Sequence, residues 1–321
     1  MKEYLYPGWC SGTSDTAAQI LSFAARALDR DRITRIDHIL EEEHVCVAKL
    51  RQGLVNGTAP ANLEADLAQL LGRLRGISGD RWIEATRRVD ACLQSNRPEL
   101  IDCECTPDGF KNLEVRFLDL QNRWFGNYKR FFKELERVAT KPNMRLYDIA
   151  SGRGGFYMYL AEQNLAPSTW ELCASDLLAQ PIAQGNARAQ DLGLPVRFEQ
   201  RDATNLKDLK GEVDLFTLQN AAHHFSPGLL LTVMHSAATS ASSGIAIFDP
   251  VRSLTAAFMV LMGCILPLVT LINLHDALQS VRRCYSMAEL VMLARVAGLD
   301  VQARFVAPMF NYVLVRQPPV T

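Results

Sequence analysis

Apolar residues recur at helical spacing through the first third of the chain. Ile20, Leu21, Phe23, Ala24 and Leu28 follow Ser14 and Asp15, either of which suits a helix N-cap, and together they predict a first helix. Ile36, Ile39, Leu40, Val47 and Leu50 share one face and predict a second over Ile33–Leu54. Leu63, Leu67, Leu70, Leu71 and Leu74 make the stripe of a third after Pro60, and a fourth is expected from about Asp80 to Gln94. The period then changes. Ile101, Cys103 and Cys105 alternate, Thr-Pro-Asp-Gly follows at 106–109, and Leu113, Val115 and Phe117 alternate again, which predicts a β-hairpin. One long amphipathic helix is expected to carry Leu120, Trp124, Phe125, Tyr128, Phe131, Phe132 and Leu135.

From Met144 onward short apolar runs alternate with helical patterns, the mark of an α/β layer fold. Strands are predicted at Arg145–Ile149, Trp170–Ala174, Val196–Gln200, Val213–Leu218 and Gly244–Phe248. A closing pair is predicted at Val301–Val306 and Tyr312–Val315. The helices between them are expected at Gly155–Glu162, Pro181–Leu192, Gly228–Ser236 and Met287–Ala297.

Composition narrows the picture. The chain has 321 residues, about two domains at roughly 150 residues each. With 34 Lys and Arg against 35 Asp and Glu, it lacks the basic excess that a phosphate-bound partner requires, so no nucleic acid is expected. A hydrophobic fraction of 48% excludes a disordered chain. The eight cysteines are scattered with no C-x-x-C pair, so no metal is expected and the thiols fit a reduced, cytoplasmic protein. No apolar signal-peptide core stands in the first residues, MKEYLYPGWCSGT.

The strongest chemical signal is Leu146-Tyr147-Asp148-Ile149-Ala150-Ser151-Gly152-Arg153-Gly154-Gly155-Phe156, a strand, an acidic residue, glycines and then a helix. Glycines there let backbone approach a ligand, and the helix start offers free N–H groups and a positive dipole. The dinucleotide pattern G-x-G-x-x-G is not met, because Ala150 fills its first glycine position.

This segment resembles the first motif of the class I S-adenosylmethionine-dependent methyltransferases, matched by Asp148, Gly152 and Gly154, with Ala150 where glycine is commoner. The resemblance implies a Rossmann-like seven-stranded sheet with an antiparallel strand among its last two, and S-adenosylmethionine as cofactor. It further implies that Asp176, at the end of the second strand, accepts the two ribose hydroxyls. Asp202 and Ala203, after the third, would lie beside the adenine, and Gln219 and Asn220, after the fourth, beside the methionine end. Asn220-Ala221-Ala222-His223-His224-Phe225 resembles the LHHF of many small-molecule methyltransferases, and not the N/D-P-P-Y of those that modify nucleic-acid amines. His223 is a candidate general base, since imidazole titrates near neutral pH.

A narrower resemblance, to a subgroup linked to bacterial secondary metabolism, lies in Asn273-Leu274-His275-Asp276, Ser280-Val281-Arg282-Arg283-Cys284-Tyr285-Ser286 and the upstream Gln121-Asn122-Arg123-Trp124-Phe125-Gly126-Asn127. It makes His275 and Tyr285 candidates to reach the acceptor. Arg282 and Arg283 are otherwise expected to pair with carboxylates.

Leu254–Leu274 carries no formal charge and is long enough to span a bilayer. It falls between two predicted elements of one sheet, and Gly263 and Pro267 break it, so two short helices are expected instead. The segment reads as an apolar lid or a homodimer surface, with peripheral membrane contact as the alternative. The expected organisation is a helical cap or dimerisation region over 1–118 and a cofactor-binding domain over 119–321 with the lid inserted at about 252–284. Tyr4, Tyr6 and Trp9 form an aromatic leader that could fold over a sulfonium. The expected activity is methyl transfer to a small, partly apolar metabolite. The alternative is attack on another sulfonium carbon, a non-methyl transfer or cyclisation that releases methylthioadenosine.

Overall fold

Runs rich in Leu, Ile, Val and Phe form seven strands: β1 (Arg145–Asp148), β2 (Glu171–Asp176), β3 (Val196–Gln200), β4 (Leu215–Gln219), β5 (Ile245–Pro250), β6 (Asp300–Val306) and β7 (Phe310–Arg316). They make one sheet in the order β3-β2-β1-β4-β5-β7-β6. β1 to β5 are parallel, while β7 runs antiparallel to both β5 and β6. The computed structural model describes residues 16–77, 88–95, 97, 99–100, 106–253, 256–257, 271–306 and 310–318. The leader residues Tyr4, Tyr6 and Trp9, the stretch Ile101–Cys105 and most of the 254–274 segment lie outside the described residues.

The helices are α1 (Thr16–Glu42), α2 (His44–Val55), α3 (Glu64–Gly76), α4 (Asp108–Trp124), α5 (Asn127–Glu136), α6 (Gly155–Glu162), α7 (Ala179–Asp191), α8 (Pro227–Ser240), α9 (Leu271–Arg283) and α10 (Met287–Val296). Three differ from the sequence expectation. α1 runs on to Glu42, so the first break falls at Glu43 and not near residue 30. Leu113, Val115 and Phe117 lie on α4, not on a hairpin strand, because the chain leaves Pro107 extended and enters a helix at Asp108. The long amphipathic helix is two, α4 and α5, since Gly126 takes a left-handed conformation at φ +68° between them.

Alternate residues of the strands face opposite layers, as a pleated strand requires. Ile245 and Ile247 of β5 pack with α1–α3, α8 and α10, through Ile36, Leu50, Leu70, Leu230, Val233 and Leu290. Ala246 and Phe248 face the other layer, where Phe131, Phe132, Phe156 and Leu160 of α5 and α6 cover the sheet. The N-terminal helices are joined to the sheet layer by polar contacts too. Asp29 of α1 accepts the backbone N–H groups of Met287 and Ala288 at the start of α10, each at 3.3 Å. Glu64 accepts the N–H of Gly228 at the start of α8, at 2.9 Å. Carboxylates in those places satisfy otherwise orphaned donors and complement the helix dipole.

At the end of β5, Arg252 is buried and donates to both oxygens of Glu289 at 3.1 Å, to Asp90 at 2.7 Å and to the Cys284 carbonyl at 2.7 Å. Arg75 of α3 also donates to Glu289, and Arg32 of α1 donates to Asp90 at 2.9 Å. This network ties both segments to the sheet. Among the described residues no helix is long and apolar enough to cross a membrane.

Candidate functional site

The strand order reverses between β1 and β4, and such sheets usually hold their ligand crevice outside the carboxyl ends of the strands at that point. The chain leaves β1 through a turn with three left-handed residues: Ala150 at φ +51°, Gly152 at +57° and Gly154 at +69°. The conformation costs an L-residue such as Ala150 about 1 kcal/mol. At Gly152 an added Cβ would meet nothing within 4 Å, so open space lies in front of the turn. At Gly154 a Cβ would come within 2.6 Å of the Phe198 ring and 3.1 Å of Ala174, so close packing excludes a side chain.

Asp148, at the end of β1, is buried and accepts the Thr217 hydroxyl at 2.6 Å; that hydroxyl also lies 2.9 Å from the Tyr157 hydroxyl. Burial pushes the Asp148 carboxyl up to about 7, with the Thr217 donor working against the rise and Asp176 adding to it. Asp176, at the end of β2, accepts the N–H of Gly152 through Oδ2 and that of Leu178 through Oδ1, both at 2.9 Å. The two strand ends are thereby clamped together. Asp202 is exposed after β3 and accepts the Thr204 N–H and hydroxyl, both at 2.8 Å, while Ala203 leans on the core.

Gln219 ends β4, and Asn220 follows in a left-handed conformation at φ +52°, which asparagine tolerates better than most residues. Ser151 Oγ, Gln219 Nε2 and Asn220 Oδ1 are buried and have no hydrogen-bond partner among the described residues. Asp148, Ala150, Gly152, Gly154, Asp176, Gln219 and Asn220 thus gather at the ends of β1, β2 and β4, with Asp202 and Ala203 on the loop after neighbouring β3.

The three candidates for chemistry sit in different settings. His223 lies in a 3-10 turn (Ala222–His224) and is buried, with Nδ1 at 3.0 and 3.1 Å from the two oxygens of Asp249. Its Nε2 is 3.8 Å from Glu99. Burial disfavours the imidazolium, but Asp249 and then Glu99 outweigh it, and the net shift is upward. Tyr285 donates its hydroxyl to the Phe225 carbonyl at 2.8 Å, and burial pushes the phenol well up. His275 is half exposed on α9, with Nδ1 2.8 Å from Asp276. Arg283 lies 3.8 Å from Glu99 and donates to the His224 carbonyl at 3.1 Å, as expected of a residue that pairs with a carboxylate.

Atoms able to ligate a metal lie within 4.8 Å of one another in His223, Asp249 and Cys284, and in Glu99, His223 and His224. In the first group His223 is hydrogen-bonded to Asp249, and in the second Glu99 lies 3.8 Å from the Arg283 guanidinium.

Sequence reasoning missed Thr217, Asp249, Glu99 and Asn122. Asp249 had a usable signal, a carboxylate ending the strand next to β4; Glu99 and Asn122 reach the site only through tertiary packing.

Residues 146–244 match the family described as methyltransferase domain. The chain carries a methyltransferase domain over those residues. No curated protein matches the sequence. Solved structures similar to this chain include a SAM-dependent methyltransferase from Aquifex aeolicus, 17% identical, over 57% of this chain and 87% of that one, with a TM-score of 0.43. The plantazolicin methyltransferase BamL, in complex with a triazolic desmethylPZN analog and SAH, is 14% identical over 66% of this chain and 92% of its own, with a TM-score of 0.48. Magnesium protoporphyrin IX methyltransferase (ChlM) from Synechocystis PCC 6803, with bound SAH, is 15% identical over 68% and 91%, with a TM-score of 0.43. The buried polar atoms left unpaired at the ends of β1 and β4 fit a polar ligand.

Proposed function

We infer that this enzyme methylates a small, partly apolar metabolite, with the cofactor seated over the carboxyl ends of β1, β2 and β4. The observation that carries the inference is the trio of buried, unpartnered polar atoms, Ser151 Oγ, Gln219 Nε2 and Asn220 Oδ1, beside the open space at Gly152. Buried polar atoms are nearly always paired, so three orphans in one crevice suit a ligand that pairs them. Asp176 offers two acceptor oxygens held by backbone donors, which suits the two adjacent hydroxyls of a ribose. Asp202 and Ala203 would flank the adenine, with Gln219 and Asn220 at the amino-acid end.

Bound S-adenosylmethionine supplies an electrophilic methyl group on a sulfonium. The chain's own part is to hold the acceptor in line and to keep water out. His223, oriented by Asp249, is the group placed to take a proton from an acceptor that carries one. His275 and Tyr285 would contribute to the acceptor side. The helical region before residue 119 would cap the acceptor pocket or join two copies of the chain. The near-balanced charge supports a small-molecule substrate over nucleic acid, and free thiols at Cys46, Cys92, Cys173 and Cys284 suit a reducing cytoplasm. The segment around His275 and Arg282-Arg283 supports a role in secondary metabolism by its resemblance alone.

The test is calorimetry with S-adenosylmethionine, followed by mass spectrometry of the products. The wild type should bind and Gly152→Val should not, while remaining folded. With acceptors supplied, S-adenosylhomocysteine should appear. Methylthioadenosine formed without an acceptor would overturn methyl transfer, and binding retained by Gly152→Val would overturn the placement of the site.

A further inference from the structure

Three asparagines and an arginine form a polar chain that ends at Asn220, just past the carboxyl end of β4. Arg130 of α5 donates from Nη1 to Asn127 Oδ1 at 3.1 Å. Asn127 donates from Nδ2 to Asn122 Oδ1 at 3.1 Å, and Asn220 donates from Nδ2 to the same oxygen at 2.9 Å. Asn122 and Asn127 are both more than nine-tenths buried, at 8% and 7% exposure. The far end of the chain is Asn220 Oδ1, buried and without a partner.

The order of donors and acceptors in this chain follows from its first member. A guanidinium has only donors, so Asn127 must show it an oxygen. The amide nitrogen of Asn127 then faces Asn122, which must present its own oxygen. That oxygen requires a donor from Asn220, so the Asn220 nitrogen turns towards Asn122 and its oxygen turns away from it. The Asn220 backbone is fixed as well, by its left-handed φ of +52° and by donation of its N–H to the Phe248 carbonyl at 2.8 Å. Only rotation of the side-chain amide is left free, and the chain removes it.

We propose that Asn122 is a positioning residue: oriented by Asn127 and Arg130, it holds Asn220 with Oδ1 facing the crevice as an acceptor for a protonated primary amine, the α-ammonium of the cofactor. The proposal rests on the crevice being the S-adenosylmethionine site. An Asn220 amide turned the other way would set its oxygen against the Asn122 oxygen, two acceptors facing each other, so the chain favours a ligand that brings an ammonium group to this point.

The experiment compares two ligands of the full-length protein by calorimetry. S-adenosylhomocysteine carries the ammonium; 5′-methylthioadenosine keeps the nucleoside and the thioether and lacks the amino-acid end. Asn122→Leu should weaken S-adenosylhomocysteine about tenfold and leave methylthioadenosine within about twofold of wild type. Asn122→Asp, whose carboxylate can only accept, should restore most of the loss. Equal weakening of both ligands would mark a merely structural role and overturn the proposal, as would no weakening of either. Arg130→Met removes the donor that starts the chain from an exposed position; it should show the same selective loss, smaller in size, and gives the answer if Asn122→Leu does not fold. Wild type that binds neither ligand would instead overturn the placement of the cofactor, and with it the ligand assigned to Asn220.

Discussion

The backbone N–H of Gly152 donates to Oδ2 of Asp176 at 2.9 Å, so the carboxylate at the end of β2 holds the turn that leaves β1. Its other oxygen is held by Leu178. One side chain therefore holds the glycine turn with one oxygen and the start of the next segment with the other. Asp176→Ala removes both functions and is expected to weaken S-adenosylmethionine binding by roughly 10- to 100-fold, the scale of hydrogen bonds to a charged group. Asp176→Asn, which keeps one acceptor, should fall between. Calorimetry on variants with unchanged far-UV spectra measures this, and an undiminished affinity in the alanine variant would refute it.

Asp148 makes the opposite kind of contribution. Burial raises its carboxyl to about 7, so between about 4 and about 7 the folded state holds a proton that the unfolded chain releases. Its effect on stability therefore becomes more unfavourable as pH rises through that window. Asp148→Asn keeps an acceptor for Thr217 and never ionises. It should be more stable than wild type at pH 8 by on the order of 2 kcal/mol, with a flatter profile between pH 4 and 7. Urea denaturation of both proteins at pH 5 and pH 8 decides the matter; an unchanged difference between the two pH values would count against the assignment.

The seven strands were legible because each is a short apolar run bounded by turn residues, and β1 through β5 read directly from that contrast. The hairpin around 106–109 was misread for a physical reason. Leu113, Val115 and Phe117 alternate over too few residues to exclude a helix, and the apolar positions Leu113 and Trp124 of α4 stay exposed. The break at Gly126 depends on one left-handed residue inside an otherwise continuous helical pattern. In the site, the turn and the strand-end carboxylates carry local signals. Asn122 is 98 positions from Asn220, and His223 is 26 from Asp249; those pairings exist only once the sheet order has set β4 between β1 and β5.

Glu289 is fully buried between Arg252 and Arg75, at the junction of α3, α10 and the end of β5. Burial alone would raise its carboxyl, but Arg252 and then Arg75 outweigh it and hold it low. Removing one partner of a buried network leaves an uncompensated charge, so Glu289→Ala is expected to destabilise the protein by about 3–5 kcal/mol. The depressed carboxyl also means that its stabilisation is present above about pH 4.3 and fades as the pH falls below that value. Thermal melts across pH 3 to 7 should show the wild-type loss at the acid end and less of it in Glu289→Gln; a loss of under about 1 kcal/mol in Glu289→Ala would show that the network does not hold the helices to the sheet.

His223 and Asp249 give the last prediction a definite sign. The folded imidazole titrates above its ordinary value because Asp249 and Glu99 outweigh the effect of burial. Its contribution to stability is therefore complete below about pH 6.5 and is lost as pH rises through the higher folded value. Asp249→Asn removes the charge that holds the imidazolium, so the titration should move down and the pH-dependent part of the stability should shrink. If His223 takes the acceptor proton, the alkaline rise of kcat/KM should move to lower pH in the same variant, because the neutral imidazole is then present earlier. NMR titration of the His223 ring and a pH–rate profile report on the same group by independent means. A ring titration that moves while the rate profile stays fixed would confine His223 to a structural role, with the acceptor activated by position alone.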